Sequence, residues 1–435
     1  MDLILAFFTF AGSMIFVLLH GWTMIIGMLI GFFAFFSVAI HRHFKVNDIL
    51  SMSWRGAKKT LVVVRIFIII GMLTGLWRSS GTFAFMVAWG MRLIRPSVFI
   101  LMAYLLCCIM SYAIGTSFGV AGTLGVALML LARSCGVDPY ITAGAILSGI
   151  YFGDRCSPAS SCSALIASIT DTKLYDNIRL MLKTAFPAVL ASIAFYTYIS
   201  ISNPMTPASV SIIEDLEKCF NLSPLVALPT VFMFVMPIIG TSPFYAFLAS
   251  IACAFACSVF IQGHSVYETF RAAVMGFSTE PGSTGMLFSG GGIISMVEMC
   301  FVVFISGTYS GIFNGTQMLI SLESKVEALI RKFGSFWVTA AIGLSTASIF
   351  CNQSIGAILS AQLLRAPYSN TGRTKDELVQ DMANSTVVFT ALIPWCIGCS
   401  VPLRMMDVSA RAVPFAFYLY ALPIIYSLTK KIWFK

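Results

Sequence analysis

The chain has 435 residues, of which 58% are hydrophobic and only 10% charged, and its mean hydropathy is +0.90. So few charges cannot solvate a water-soluble globule of this length; at roughly 20 residues per bilayer crossing there is room for about ten to twelve spanning or half helices and none for a large extramembrane domain. The formal net charge of +9 sits mostly in short loops between apolar runs, a bias that marks cytoplasmic loops rather than a nucleic-acid partner.

In chain order, Leu3 to Leu19 and Trp22 to Ile40 read as two spans joined by a tight turn at His20-Gly21. The first run lacks a basic segment ahead of it, so it reads as a retained helix rather than a cleaved signal. The next stretch, His41 to Thr60, carries Arg42, Lys45, Arg55, Lys58 and Lys59 against Asp48 alone. It is expected to be a cytoplasmic loop, which puts the N-terminus on the same side. Residues 1–60 thus form an expected two-helix hairpin with a basic loop, followed by a first repeat over 61–202, an interfacial linker over 203–224 and a second repeat over 225–435.

Leu61 to Trp77 is a third span with Arg78 at its far end; Ser79-Ser80-Gly81-Thr82 breaks it, and Phe83 to Leu93 is short enough to be a half helix. Val98 to Ala113 spans again. It leads into a run with glycines at 115, 119, 122 and 125, which either pack helices closely or let the chain unwind. Tyr140 to Ile169 is apolar but interrupted by Asp154, Arg155, Ser157, Pro158, Ser160, Ser161 and Ser163. Charge and freed backbone persist at membrane depth only inside protein or beside a watery cavity, so this broken helix is the expected centre of a transport site.

Thr170 to Lys183 is polar and Thr184 to Ile201 spans; Ser211-Ile-Ile-Glu214 within the linker matches a helix-starting capping box. In the second half, Leu225 to Ile239 and Phe244 to Ile261 span, Glu280-Pro281-Gly282 reads as a loop, and three glycines at 290–292 precede a run containing Glu298. Ser321 to Phe333 is an amphipathic connector. Trp337 to Phe350 spans and ends at Asn352-Gln353; Arg365 to Asp381 reads as a polar loop. Asn384-Ser385 leads an apolar run broken by Pro394 and Pro402, and a last span runs from about Ala412 to Leu428. Each half therefore sets a polar break about 30 to 40 residues before a proline-broken helix with Asp or Asn and serines, the layout of inverted-repeat transporters.

The 12 cysteines have no framework spacing and lie mostly in apolar runs, so Cys107-Cys108 and Cys396-Ile-Gly-Cys399 read as packing groups. A membrane enzyme finds no support in any His-Glu-x-x-His, Gly-x-Ser-x-Gly or Walker pattern.

Five motifs, Gly-Leu-Trp-Arg-Ser-Ser-Gly-Thr (75–82), Gly-Thr-Ser-Phe-Gly (115–119), Gly-Asp-Arg-Cys-Ser-Pro (153–158), Gly-Gly-Gly-Ile-Ile-Ser-Met (290–296) and Leu-Ile-Pro-Trp (392–395), together resemble the NhaC-type sodium/proton antiporters of the ion transporter superfamily. The resemblance implies two inverted repeats, broken helices meeting at mid-membrane, a homodimer in the cell membrane and exchange coupled to Na⁺ or H⁺. It implies no cofactor beyond Na⁺ as transported or coupling ion. The chain departs from the family pattern at Ser161, Asn352 and Asn384, where acids are expected, while Asp154 remains.

The candidate cation and proton site comprises Asp154, Ser157, Ser160, Ser161, Asn352, Asn384, Ser385 and Glu298, with Asp154, Ser157 and Asn384 as ligands of the metal cation itself. One carboxylate holds either a proton or Na⁺, a competition sufficient for antiport. Arg78, Thr116, Ser117 and Gln353 form the candidate substrate site. The planar fork of Arg78 suits a carboxylate, unless it snorkels to the interface. Two functions follow as expectations: Na⁺/H⁺ exchange, or cation-coupled transport of a small carboxylate or amino acid.

Overall fold

A computed structural model of the chain describes residues 2–93, 95–204, 216–279, 288–316 and 323–434. The apolar runs fold as α-helices, and the only strand pairing among the described residues is an isolated bridge between Phe277 and Gly290. Seven helices are long and apolar enough to cross a bilayer, accompanied by four shorter apolar ones. A helix satisfies every backbone N–H and C=O within one segment, which lipid cannot do for it. The chain is a polytopic all-α membrane protein.

Helices α1 (Asp2–His20) and α2 (Met24–His41) form the expected hairpin, and the Asp2–Arg42 ion pair at 3.0 Å ties its two ends together. The expected loop over 41–60 is mostly helix: α3 runs from Val46 to Ser79. Its buried positions Ile49, Ser53, Gly56, Ala57 and Thr60 fall at spacings of three and four on one face, so this stretch coils by packing and not by hydropathy alone. The division expected at residue 60 therefore lies inside a helix.

That face meets α14 (Val297–Thr316), where a Cβ on Gly56 would collide with the Gly307 carbonyl and one on Gly311 with the Met52 carbonyl. Gly311→Leu is expected to destabilise by about 1–3 kcal/mol, the usual cost of overpacking, seen as a lower melting temperature of the purified protein.

Between α3 and α14 come α4 (Thr82–Leu93), α5 (Phe99–Ile114), α6 (Ser117–Val120), α7 (Val126–Ser134), α8 (Pro139–Cys156), α9 (Ser161–Thr170), α10 (Leu174–Ser202), α11 (Leu228–Ile238), α12 (Pro243–Phe260) and α13 (Val266–Met275). After α14 follow α15 (Glu323–Phe333), α16 (Ser335–Phe350), α17 (Gln353–Asn370), α18 (Lys375–Ala383), α19 (Thr386–Phe389), α20 (Ile397–Met405) and α21 (Phe417–Trp433). Two sequence expectations change here. The polar stretch 365–381 is largely helical, and α10 already begins at Leu174. The capping box at 211–214 and Glu280 lie outside the described residues.

The backbone punctuation of the two halves matches. Left-handed residues occur at Gly115, Gly136 and Asp171 and again at Cys351, Gly372 and Asp407. Helix-starting residues Thr116, Asp138 and Ser160 recur as Asn352, Thr374 and Cys396. Each pair, like Pro158 and Pro394, is 236 positions apart (115 to 351, 138 to 374, 160 to 396).

Two ion pairs give the relative direction. Arg133, just before α8, meets Asp407, just after α20, at 3.3 Å; Lys375, opening α18, meets Asp171, closing α9, at 2.7 Å. The start of each broken helix thus lies beside the end of the other, so the two run in opposite senses. Both pairs are solvent-exposed and add little stability; Lys375 does hold the Asp171 carboxyl below the usual carboxylate range.

Candidate ion and substrate site

Asp154 sits in the last turn of α8. Gly153 beside it packs so closely on the backbone of Ser111 and Tyr112 that a Cβ has no room, and Pro158 forbids the helix to continue. The serines then satisfy the freed carbonyls: Ser157 Oγ donates to Tyr112 O at 2.6 Å, Ser160 Oγ to Asp154 O at 2.5 Å, and Ser163 Oγ to Arg155 O at 2.6 Å. Ser160 Oγ also accepts from the amides of Cys162 and Ser163, starting α9. These hydroxyls hold the break open, and Ser161 is exposed.

The Asp154 side chain is buried. Ser117 Oγ, at the start of α6, donates to Asp154 Oδ2 at 3.4 Å. The Gln353 amide, at the start of α17, faces the same carboxylate, but its buried Nε2 has no partner within hydrogen-bond distance. Three helix breaks, distant in sequence, thus converge on one acid. Arg155, the obvious local partner, turns away: its Nη2 donates to Met181 O at 3.0 Å and Thr184 Oγ1 at 3.1 Å, and among the described residues it forms no ion pair with Asp154.

Thr116 and Asn352 cap the helices that follow them, accepting from Gly119 N, and from Ser354 N and Ile355 N, respectively. The second-half break packs against the first: Ile397 N donates to Cys351 O at 2.9 Å, and the space over Gly398 is shared by the Tyr151 hydroxyl of α8 and Thr390. Asn384 Nδ2 and Ser385 Oγ bond back to the carbonyls of Gln380 and Asp381, and no described hydrogen bond links either residue to Asp154. Tyr151 OH, Gln353 Nε2, Asn384 Oδ1 and Thr386 Oγ1 are all buried without a partner. Each such group costs about 1–3 kcal/mol unless water, ion or substrate satisfies it. Hard oxygens around one carboxylate suit Na⁺; among the described residues no cluster of His, Cys, Asp and Glu suits a transition metal.

Two expected site residues lie elsewhere. Glu298, in the first turn of α14, accepts from Thr23 Oγ1 at 2.8 Å and pairs with Arg404 at 3.3 Å, so this intramembrane acid is neutralised by α20 and is not brought to Asp154. Arg78 is buried; its Nη1 donates to Ser289 O at 2.7 Å, its guanidinium lies 5.8 Å from the Phe83 ring centroid, and its Nε has no partner. It meets no carboxylate among the described residues.

Sequence reading missed a second buried charge centre. Asp381 on α18 accepts from Tyr426 at 2.8 Å, Tyr368 at 2.7 Å and Lys430 at 2.5 Å. Lys430 also meets Glu377 at 2.7 Å and Ser335 at 2.6 Å, and Glu377 accepts from Arg373 at 3.0 Å. The signal available was the four-residue spacing of Glu377 and Asp381, which puts both on one helix face.

Broken helices of opposite sense, converging on a buried acid in an all-helical membrane bundle, define a secondary transporter. The chain belongs to the Na⁺/H⁺ antiporter family, whose model matches residues 3–170 and 149–429. It is a transporter and not an enzyme. It is 27% identical over 361 residues to an uncharacterized Na⁺/H⁺ antiporter of Haemophilus influenzae (80% of this chain, 77% of that one). It is 24% identical over 421 residues to a malate-2H⁺/Na⁺-lactate antiporter of Bacillus subtilis (94% and 90%). It is 26% identical over 387 residues to the Na⁺/H⁺ antiporter NhaC of Alkalihalophilus pseudofirmus (87% and 83%).

Proposed function

We propose that the chain exchanges Na⁺ and H⁺ across the cell membrane by alternating access, with Asp154 as the group that carries one or the other. The buried position of Asp154 between the starts of α6 and α17 carries this reading. Ser117 and Gln353 assist, the first as an oxygen ligand and the second by orienting the carboxylate. Ser157 and Ser160 act by keeping the helix broken, Thr116 and Asn352 by starting the helices that deliver Ser117 and Gln353. Asn384 and Ser385 belong to the opposing break and enter the site when the two bundles move. The basic ends of α2, α3, α10, α18 and α21 support a cytoplasmic N-terminus, and a homodimer is the assembly the family resemblance implies. The test is Na⁺ flux into liposomes under an imposed pH gradient, with and without Asp154→Asn.

A second reading has its own observation. Arg78 is a buried cation with no described acid beside it, a costly state that a substrate carboxylate would relieve, and one relative is named for malate and lactate exchange. Arg78→Gln is expected to weaken binding of a small carboxylate by about tenfold or more, the effect of losing a charged hydrogen bond; thermal shift against ligand concentration measures it. An unchanged titration removes Arg78 from the substrate site.

A further inference from the structure

A cavity of about 510 Å³ opens between α3, α14 and α17. Arg55 and Lys59 of α3 line it, with Ser310 and Asn314 of α14, and Ile355 and Gln362 of α17. Ile355 lies two residues beyond Gln353, whose unpaired Nε2 faces Asp154, so the cavity leads along α17 toward the site. Gln353 to Gln362 is nine residues, or roughly 14 Å of helix.

The lining contains two cations and no acid. Arg55 and Lys59 are one helical turn apart on the same face, a like-charge spacing that opposes the helix. Among the described side chains neither forms an ion pair, while the neighbouring Lys58 points elsewhere, its Nζ 5.6 Å from the Trp54 ring. A cation using this route meets two positive charges, whereas an anion is concentrated there. The Arg fork and Lys ammonium suit a carboxylate, and Asn314 and Gln362 supply donors for a second polar group.

We propose that this vestibule binds a small organic carboxylate on Arg55 and Lys59 and passes it toward Gln353. The inference rests on the second reading above, names its substrate class and entry, and uses residues apart from Arg78 and Asp154. A carboxylate that reaches Gln353 stands beside Asp154, where the repulsion is relieved once Asp154 holds a proton or Na⁺. Anion and cation movement are coupled by that repulsion.

The test uses the purified full-length protein, with succinate and lactate as probes in thermal melting and equilibrium dialysis. The expected result is that a probe raises the melting temperature of the parent protein, that R55Q/K59Q weakens its binding about tenfold or more, and that Asp154→Asn with Na⁺ absent still binds it. Equal binding by R55Q/K59Q and parent overturns the vestibule; if Arg78→Gln alone then loses the probe, the carboxylate reading survives without it. A second measurement covers lipid headgroups, which share the anionic chemistry. If neither probe binds the parent, but phosphatidylglycerol in nanodiscs stabilises it over phosphatidylcholine and R55Q/K59Q abolishes that difference, the occupant is a lipid and the proposal falls.

Discussion

Replacing Asp154 by asparagine will reduce Na⁺ flux in liposomes by about two orders of magnitude or more, the consequence of losing a charged interaction of roughly 3 kcal/mol in the transport cycle. The amide keeps the shape of the carboxyl group and its contact with Ser117 Oγ, but binds neither a proton nor Na⁺ in the working pH range. Because the substitution removes a buried charge without removing volume, the melting temperature is expected to stay the same or rise. Loss of flux with intact melting assigns the effect to chemistry. Sodium flux unchanged by the substitution would take Asp154 out of the mechanism.

The second large effect concerns the charge centre between α18 and α21. Lys430→Met leaves Asp381 and Glu377 buried together with only Tyr368, Tyr426, Ser335 and Arg373 for compensation. Breaking a buried ion pair from one side costs about 3–5 kcal/mol, whereas replacing all members by apolar residues is often close to neutral.

The other half of the chain supplies the replacement. Positions 236 earlier hold Ile141, Ala145 and Ala194 where this half has Glu377, Asp381 and Lys430, so the same helix arrangement forms there without the charges. The triple variant E377I/D381A/K430A is accordingly expected to recover a large part of the melting temperature lost in Lys430→Met. If the single and triple variants melt alike, the three residues do not act as one network.

Much of the fold was legible because its signals are local. Pro158 and Pro394 cannot continue a helix, and a charge or serine cluster inside an apolar run must be sheltered from lipid; both breaks fall where those residues stand. The stretch 46–60 was misread because its five basic residues and single acid hide a buried face of small residues that only α14 reveals. Residues 365–381 were misread for a related reason. Their acids look like loop residues until Lys430, some 50 positions later, is seen to neutralise them.

The site divides in the same way. Asp154, Ser117 and Gln353 were identifiable as polar groups at helix breaks, and the fold joins them. Asn384, Ser385 and Glu298 share that description and are held by other partners.

From its order of residues alone, the chain determined that it is a multi-span membrane protein, where its helices break and which family it joins, since hydropathy, proline and glycine act within a few residues of themselves. Only the tertiary structure decided that Arg155 serves α10 and not Asp154, that Glu298 is neutralised by Arg404, and that Asp381 has a lysine. Every charge in lipid must find a partner, but which one it finds is set by helices that become neighbours only when the two antiparallel halves pack together.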